Sequence, residues 1–172
     1  MRKNKPHKIL HSNQNIDSQT ANFGYYIRMQ IYKSDSIEKT YEIGKQIGQT
    51  LSAGDCVSLI GDLGAGKTAI SRGLTEGVGA DADLVSSPTY VLVQHYPACE
   101  NGRCDIYHLD LYRMFEPESE FIDLGTEDML ATGVLLVEWA NRAPDVLPRP
   151  RYQIEIKIIG ETEREIHFSQ IK

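Results

Sequence analysis

A chain of 172 residues and 19.4 kDa has room for one domain, at about 100–200 residues per domain, which excludes a second catalytic domain. Its 41% apolar and 24% charged residues exclude collagen, coiled coil and a wholly disordered chain. No run of about 18 apolar residues is present to span a bilayer, so a soluble, cytoplasmic protein without membrane contact is expected.

The net charge of −6 is unevenly placed. Residues 1–28 hold five bases and one acid, a balance of +4, which leaves 13 bases against 23 acids, or −10, for the rest. Such a body repels nucleic-acid phosphates, whose binding depends on Lys and Arg, so any role with RNA is expected to run through another subunit. Residues 1–28 should form a basic, disordered tail, polar and without periodicity. The only apolar pair among residues 1–24, Ile9 and Leu10, is too short for a secretory signal. A disordered tail or an over-extended start ahead of Met29 is the expected reading, a transit peptide or RNA-touching arm the alternative, and residues 29–172 are the expected domain.

A β-like stretch from Tyr25 to Lys33 comes first. Asp35 and Glu38 then have capping-box spacing, and Ile37, Tyr41, Gly44, Ile47 and Leu51 recur at helical intervals. Gly54 and Asp55 turn the chain into a short apolar strand, Cys56–Ile60. The next helix should start near Gly66 and stop at Gly77 or Gly79. Val91–Tyr96 and Cys104–Leu109 flank Asn101-Gly102, the dipeptide suited to a two-residue hairpin turn. In that register Cys99 faces Cys104 and His95 faces His108. Val134–Val137 lacks polar alternation and reads as a strand buried on both faces. Arg151–Ile159 and Arg164–Phe168 close the chain, with Ile154, Ile156 and Ile158 alternating with polar residues. Strands linked partly by hairpins and partly by helices imply an α/β fold, a three-layer α/β/α arrangement with a mixed parallel and antiparallel sheet.

The chemistry concentrates in Gly61-Asp62-Leu63-Gly64-Ala65-Gly66-Lys67-Thr68. It fits G-x-x-x-x-G-K-[ST] and lies between a predicted strand and a predicted helix, the context a phosphate-binding P-loop requires. Glycines let the main chain curl so that successive N–H groups along Leu63, Gly64, Ala65 and Gly66 face phosphate oxygens. The helix start adds its positive dipole end. Lys67 supplies a mobile charge for the β and γ phosphates, and the Thr68 hydroxyl suits Mg²⁺. A bare strand-to-helix turn would need neither Lys67 nor Thr68. Mg²⁺ also wants an acid at a strand end, and two candidates compete. Glu138 follows the buried Val-Leu-Leu-Val run, and Asp110 follows Ile106–Leu109. Either could hold the metal while the other orients water.

Together these pieces resemble one family, the TsaE (YjeE) ATPases of bacterial tRNA threonylcarbamoyladenosine synthesis. The resemblance runs over about residues 30–168 through Thr40-Tyr-Glu-Ile-Gly44, the glycine-rich loop, Ser86-Ser-Pro-Thr-Tyr90, His108-Leu-Asp-Leu-Tyr-Arg113 and Val137-Glu-Trp139. It implies an ATPase that uses ATP and Mg²⁺, joins the TsaB and TsaD proteins and meets tRNA only through that complex. It further implies that Thr40 touches the nucleotide and Thr89 senses the γ phosphate. Glu138 would be the metal-side acid and Asp110 would be needed for hydrolysis. Trp139 would lie beside the site and Arg164 would approach the nucleotide.

His95, Cys99, Cys104 and His108 suggest zinc, but in the expected register the Cys pair sits about 13 Å from the His pair, too far for one ion with bonds of about 2.0–2.3 Å. Asn141-Arg142-Ala143-Pro144-Asp145 is similar to the guanine-reading segment of GTPases but one residue too long, so adenine is expected. Six acids between Glu116 and Asp128 read as a solvated face or a contact for a basic partner. A small-molecule kinase is the competing function. It would need a basic lid, for which Arg142, Arg149 and Arg151 are the candidates.

Overall fold

A computed structural model describes residues 26–86 and 92–172, with residues 26–28 described by backbone alone. The expected tail through residue 25, Thr89 and the start of the strand expected at Val91 lie outside the described residues.

Apolar runs and alternating apolar and polar segments of strand length give β1 (Tyr26–Ser34), β2 (Cys56–Gly61), β3 (Val93–Tyr96), β4 (Asp105–Asp110), β5 (Gly133–Glu138), β6 (Arg151–Ile158) and β7 (Arg164–Ile171). They form one sheet in the order β1-β7-β6-β2-β5-β4-β3. The pairs β6–β2, β2–β5 and β5–β4 are parallel; β1–β7, β7–β6 and β4–β3 are antiparallel. The mixed α/β sheet is the one expected. Along β5 every residue is buried, and the strand period of two divides them. Val134 and Leu136 join Ile43, Ile47, Leu74 and Val78 in one core, while Leu135 and Val137 join Leu111, Met114 and Phe121 in the other. A strand covered on both faces has no reason to alternate with polar residues.

The first core lies under α1 (Ile37–Gly48) and α2 (Lys67–Val78). The capping residue of α1 is Ser36, whose Oγ accepts from Lys39 N at 3.1 Å, not Asp35 as the spacing suggested. The buried face accordingly runs through Thr40, Ile43, Gly44, Ile47 and Gly48, and Ile37 is 73% exposed. Gly44 and Gly48 on α1 meet Gly73 and Gly77 on α2, each pair four residues apart and so on one helix face. A Cβ at Gly44, Gly48, Gly73 or Gly77 would lie 2.5, 2.3, 2.1 or 2.3 Å from a carbonyl oxygen of the facing helix. The two backbones are therefore nearly in contact, and α1 is held hard against the helix that leaves the glycine-rich loop.

The hairpin register differs from expectation by one residue. His95 pairs with Tyr107 and Gln94 with His108, so His95 and His108 lie on opposite faces, and Cys99 is exposed while Cys104 is buried. Asn101 and Gly102 close a four-residue turn in which Gly102 N donates to Cys99 O at 2.7 Å. The reason is tertiary: the loop caps α2. Cys99 N donates to Gly79 O at 2.9 Å, Arg103 N to Val78 O at 3.2 Å, and Arg103 Nη2 to Gly48 O and Gly77 O at 2.7 and 2.9 Å. These bonds satisfy carbonyls that helix ends leave without partners. The acidic stretch, read from sequence only as a charged face, forms the short helices α3 (Pro117–Asp123) and α4 (Thr126–Thr132). Glu116, Glu118, Asp123, Glu127 and Asp128 are exposed on them and their flanks.

Two outcomes test this packing. Alanine normally stabilises a helix interior by about 0.5–1 kcal/mol relative to glycine, yet Gly73→Ala should destabilise the protein by about 1–3 kcal/mol through overpacking. Gln46→Ala on the exposed face should leave the denaturation midpoint near wild type. Burial pushes the Cys56 thiol up to about 12 and raises that of Cys104, so at pH 8 a thiol reagent should label Cys99 quickly and the other two cysteines only after denaturation. Cys99→Ser should abolish the fast phase.

Candidate functional site

β2 ends at Gly61, and the chain then turns tightly, with Ala65 N donating to Asp62 O at 3.1 Å. Gly64 and Gly66 have φ of +76° and +109°, a region side-chain-bearing residues rarely adopt. Conformation alone demands glycine at these two positions, because a Cβ would meet nothing within 4 Å at Gly64 and only Thr40 Cγ2, at 3.5 Å, at Gly66. Gly66 is the residue that caps α2, and it offers no side chain to do so. The first turn of α2 also carries no acid. The N–H groups and positive dipole end of α2 are thus left for an anion.

Arg164 holds the loop from its carbonyl side. Its Nε donates to Ala65 O at 3.1 Å and its Nη2 to Gly64 O at 3.4 Å, while Nη1 donates to the carbonyls of Gly160, Glu161 and Glu163. A planar trans peptide that turns the Ala65 oxygen toward Arg164 turns the Gly66 N–H away from it, while Ala65 N is already taken by Asp62 O.

Lys67 is buried, with its Nζ donating to Gly61 O at 2.9 Å and Asp62 O at 3.1 Å and lying 4.2 Å from the Trp139 ring centroid. Burial lowers its pKa below the usual 10.5, opposed by the nearby carboxylates of Glu138, Asp110 and Asp62. Trp139 follows β5 in a left-handed conformation, φ 55° and ψ 33°. That backbone is unfavourable for a bulky residue and is met mainly where function requires it. Its ring packs on Tyr112 at 4.8 Å between centroids.

Asp110 and Glu138 end neighbouring parallel strands as a register pair, at the carboxyl edge where α/β sheets bind ligands. Asp110 Oδ1 accepts from Tyr112 N at 2.8 Å, and Glu138 Oε1 is 3.0 Å from His108 Nε2. Arg142 fastens the segment after Asp110 by donating to the carbonyls of Leu111, Tyr112 and Met114. Thr40 is buried, its Oγ1 donating to Ser36 O at 3.1 Å and lying 2.8 Å from Ser34 Oγ.

One cavity of about 640 Å³ brings together the loop Leu63–Thr68, Thr40, Asp110, Glu138, Trp139 and Arg164. This places every residue expected at the site except Thr89, which lies outside the described residues. Sequence reasoning missed Ser36, Tyr112 and Arg113, which also line the cavity. Tyr112 and Arg113 were visible as the end of the His108–Arg113 segment, and Ser36 as a helix-capping residue type beside Asp35. The residues suit a magnesium nucleotide: amide donors without a competing cap for the phosphates, a hydroxyl at Thr68 and two carboxylates for a hard cation. Among the described residues no helix is long and apolar enough to cross a membrane.

A family model described as "Threonylcarbamoyl adenosine biosynthesis protein TsaE" matches residues 34–166. The protein of that name from Bacillus subtilis is 43% identical over 135 residues, 78% of this chain and 81% of its own length. Its namesake from Treponema pallidum is 35% identical over 134 residues, 77% of this chain and 95% of its own. A crystal structure of Bacillus subtilis YdiB superposes with a TM-score of 0.66 at 33% identity, covering 84% of this chain and 87% of that one.

The Lys67–Trp139 contact has an optical consequence. As Lys67 loses its proton the cation leaves the ring, so Trp139 emission from the nucleotide-free protein should change on raising the pH, with a midpoint below 10.5. Subtracting the titration of Lys67→Met, which retains every tyrosine, isolates the step; a difference curve without one would contradict the contact.

Proposed function

The chain belongs to the TsaE family, and from that premise we propose that residues 29–172 are an Mg²⁺-dependent ATPase serving tRNA threonylcarbamoyladenosine modification. It binds the TsaB–TsaD pair, meets tRNA only through that complex, and uses ATP binding and hydrolysis to support repeated turnover. The supporting observation is the convergence, in one cavity, of the uncapped start of α2, Lys67 and the Asp110–Glu138 strand-end pair.

The described residues take roles that suit their places in the cavity, and Thr89 takes the one that the family resemblance implies. The loop amides and Lys67 bind and orient the triphosphate, and Arg164 keeps the loop in its donor-inward shape. Thr68, with Glu138 or Asp110, holds Mg²⁺, which when bound offsets phosphate charge. The second carboxylate orients water. Thr40 and Trp139 border the nucleotide, and Thr89 senses the γ phosphate.

The kinase reading finds no lid in its three candidate arginines. Arg142 is engaged by three carbonyls, Arg151 is 5% exposed within β6, and Arg149 Nη1 reaches Lys172 O at 3.4 Å. None of the three lines the cavity. Because Arg142 is spent on those carbonyls and Asn141 does not line the cavity, the segment similar to a guanine reader has no base-reading geometry, which favours ATP over GTP.

The test follows Trp139 emission during ATP and GTP titrations and identifies the product. Lys67→Ala should weaken ATP binding by at least about tenfold, the scale of a lost charged hydrogen bond. The product should be inorganic phosphate, formed faster with TsaB and TsaD. Turnover unchanged by those proteins, or a phosphorylated small acceptor, would overturn the assignment.

A further inference from the structure

Behind Glu138 lies a buried polar chain that the roles above do not use. His108 is fully buried on β4, and both of its ring nitrogens are engaged: Nε2 lies 3.0 Å from Glu138 Oε1, and Nδ1 lies 3.2 Å from the Tyr96 hydroxyl. Tyr96, itself 2% exposed on β3, also has Gln94 Oε1 and, at 3.5 Å, Ser86 O within reach of its hydroxyl, whose one proton serves one acceptor at a time. The chain crosses three adjacent strands. Gln94 pairs with His108, and the Asp110–Glu138 pair sits two residues further along β4 and β5, so His108 reaches Glu138 along a sheet diagonal.

A carboxylate only accepts hydrogen bonds, so His108 Nε2–H is the donor and Oε1 is committed to it. That leaves Oε2 for whatever the cavity holds. The imidazole cannot swing away, because the Tyr96 hydroxyl fixes its far nitrogen and strand packing closes over the ring. Burial pushes the Tyr96 hydroxyl up to about 12, so it stays protonated and can give its one proton to His108 Nδ1, 3.2 Å away.

We propose that His108 is a positioning residue: its Nε2–H tethers one oxygen of Glu138 so that the other is presented to the metal and phosphate region in a single orientation, with Tyr96 as the backstop. This rests on the ATPase reading for its consequence and on the geometry alone for the tether. His108 touches no nucleotide and moves no proton in the reaction. Partners that orient a ligating carboxylate in this way typically change activity by about 10- to 100-fold when removed.

Two measurements separate the tether from the activity. In the full, nucleotide-free chain, ¹⁵N-labelled histidine should show one slowly exchanging imidazole N–H, assigned by its loss in His108→Gln and shifted in Glu138→Gln. Its absence, or its indifference to Glu138→Gln, overturns the proposal whatever ATP does. In ATP hydrolysis with TsaB and TsaD, His108→Ala should lower kcat about 10- to 100-fold with KM within about twofold. His108→Gln, whose amide can donate from nearly the Nε2 position, should recover a large part of that loss. Tyr96→Phe, which removes only a hydroxyl, should show the same kcat-selective loss at smaller size and keeps the test open if His108→Ala does not fold. Equal defects in His108→Ala and His108→Gln, or losses that track melting temperature alone, overturn the positioning role. A wild type that turns over no ATP counts against the ATPase reading, and the resonance then decides the tether by itself.

Discussion

The start of α2 is deliberately left without a cap, and much of the molecule serves that omission. Orphan amides at a helix end are costly unless something accepts from them, and the usual remedy, a Ser, Thr or Asp side chain, is replaced here by Gly66. The donors can stay aimed at one point only if the loop carrying them is held by its other polar groups. Arg164 takes two loop carbonyls, Lys67 takes those of Gly61 and Asp62, and the close seat of α1 against α2 prevents the helix from drifting. The donors offered at this edge are thus set by restrained backbone, with Arg164 and Lys67 holding the loop by its carbonyls.

The acidic half of the site obeys a different constraint. Parallel pairing of β4 with β5 sets Asp110 beside Glu138 without any loop having to choose a conformation. The segments that follow are then locked, one by Arg142 and the other by the left-handed turn at Trp139. Strand register brings the two carboxylates together, and the desolvation of Lys67, at the start of α2, is partly offset by the charges it faces.

What was legible in the sequence was what is local. The glycine-rich loop announces itself because backbone curvature, helix start and phosphate chemistry all reside in eight consecutive residues, and the unbroken apolar run before Glu138 marks a strand covered on both sides. The hairpin register was not legible: Asn101-Gly102 suits a two-residue turn, but the loop instead spends its polar groups on the end of α2, 20 residues earlier in the chain. Ser36 and Asp35 are equally good capping types, and only the fold distinguishes them. The four glycines of α1 and α2 are visible singly, yet their meaning is a contact between helices. Likewise, the tether from His108 to Glu138 depends on a diagonal across strands 30 residues apart.

Arg103 sits far from this chemistry, with one guanidinium nitrogen shared by Gly48 O and Gly77 O, so the final turns of α1 and α2 end on a single positive charge. Each helix end has its own bond, but both bonds converge on the one guanidinium. Displacing the Arg103 side chain would thus loosen both carboxyl ends together, and solvent exchange of the amides there would report the hairpin's grip on both.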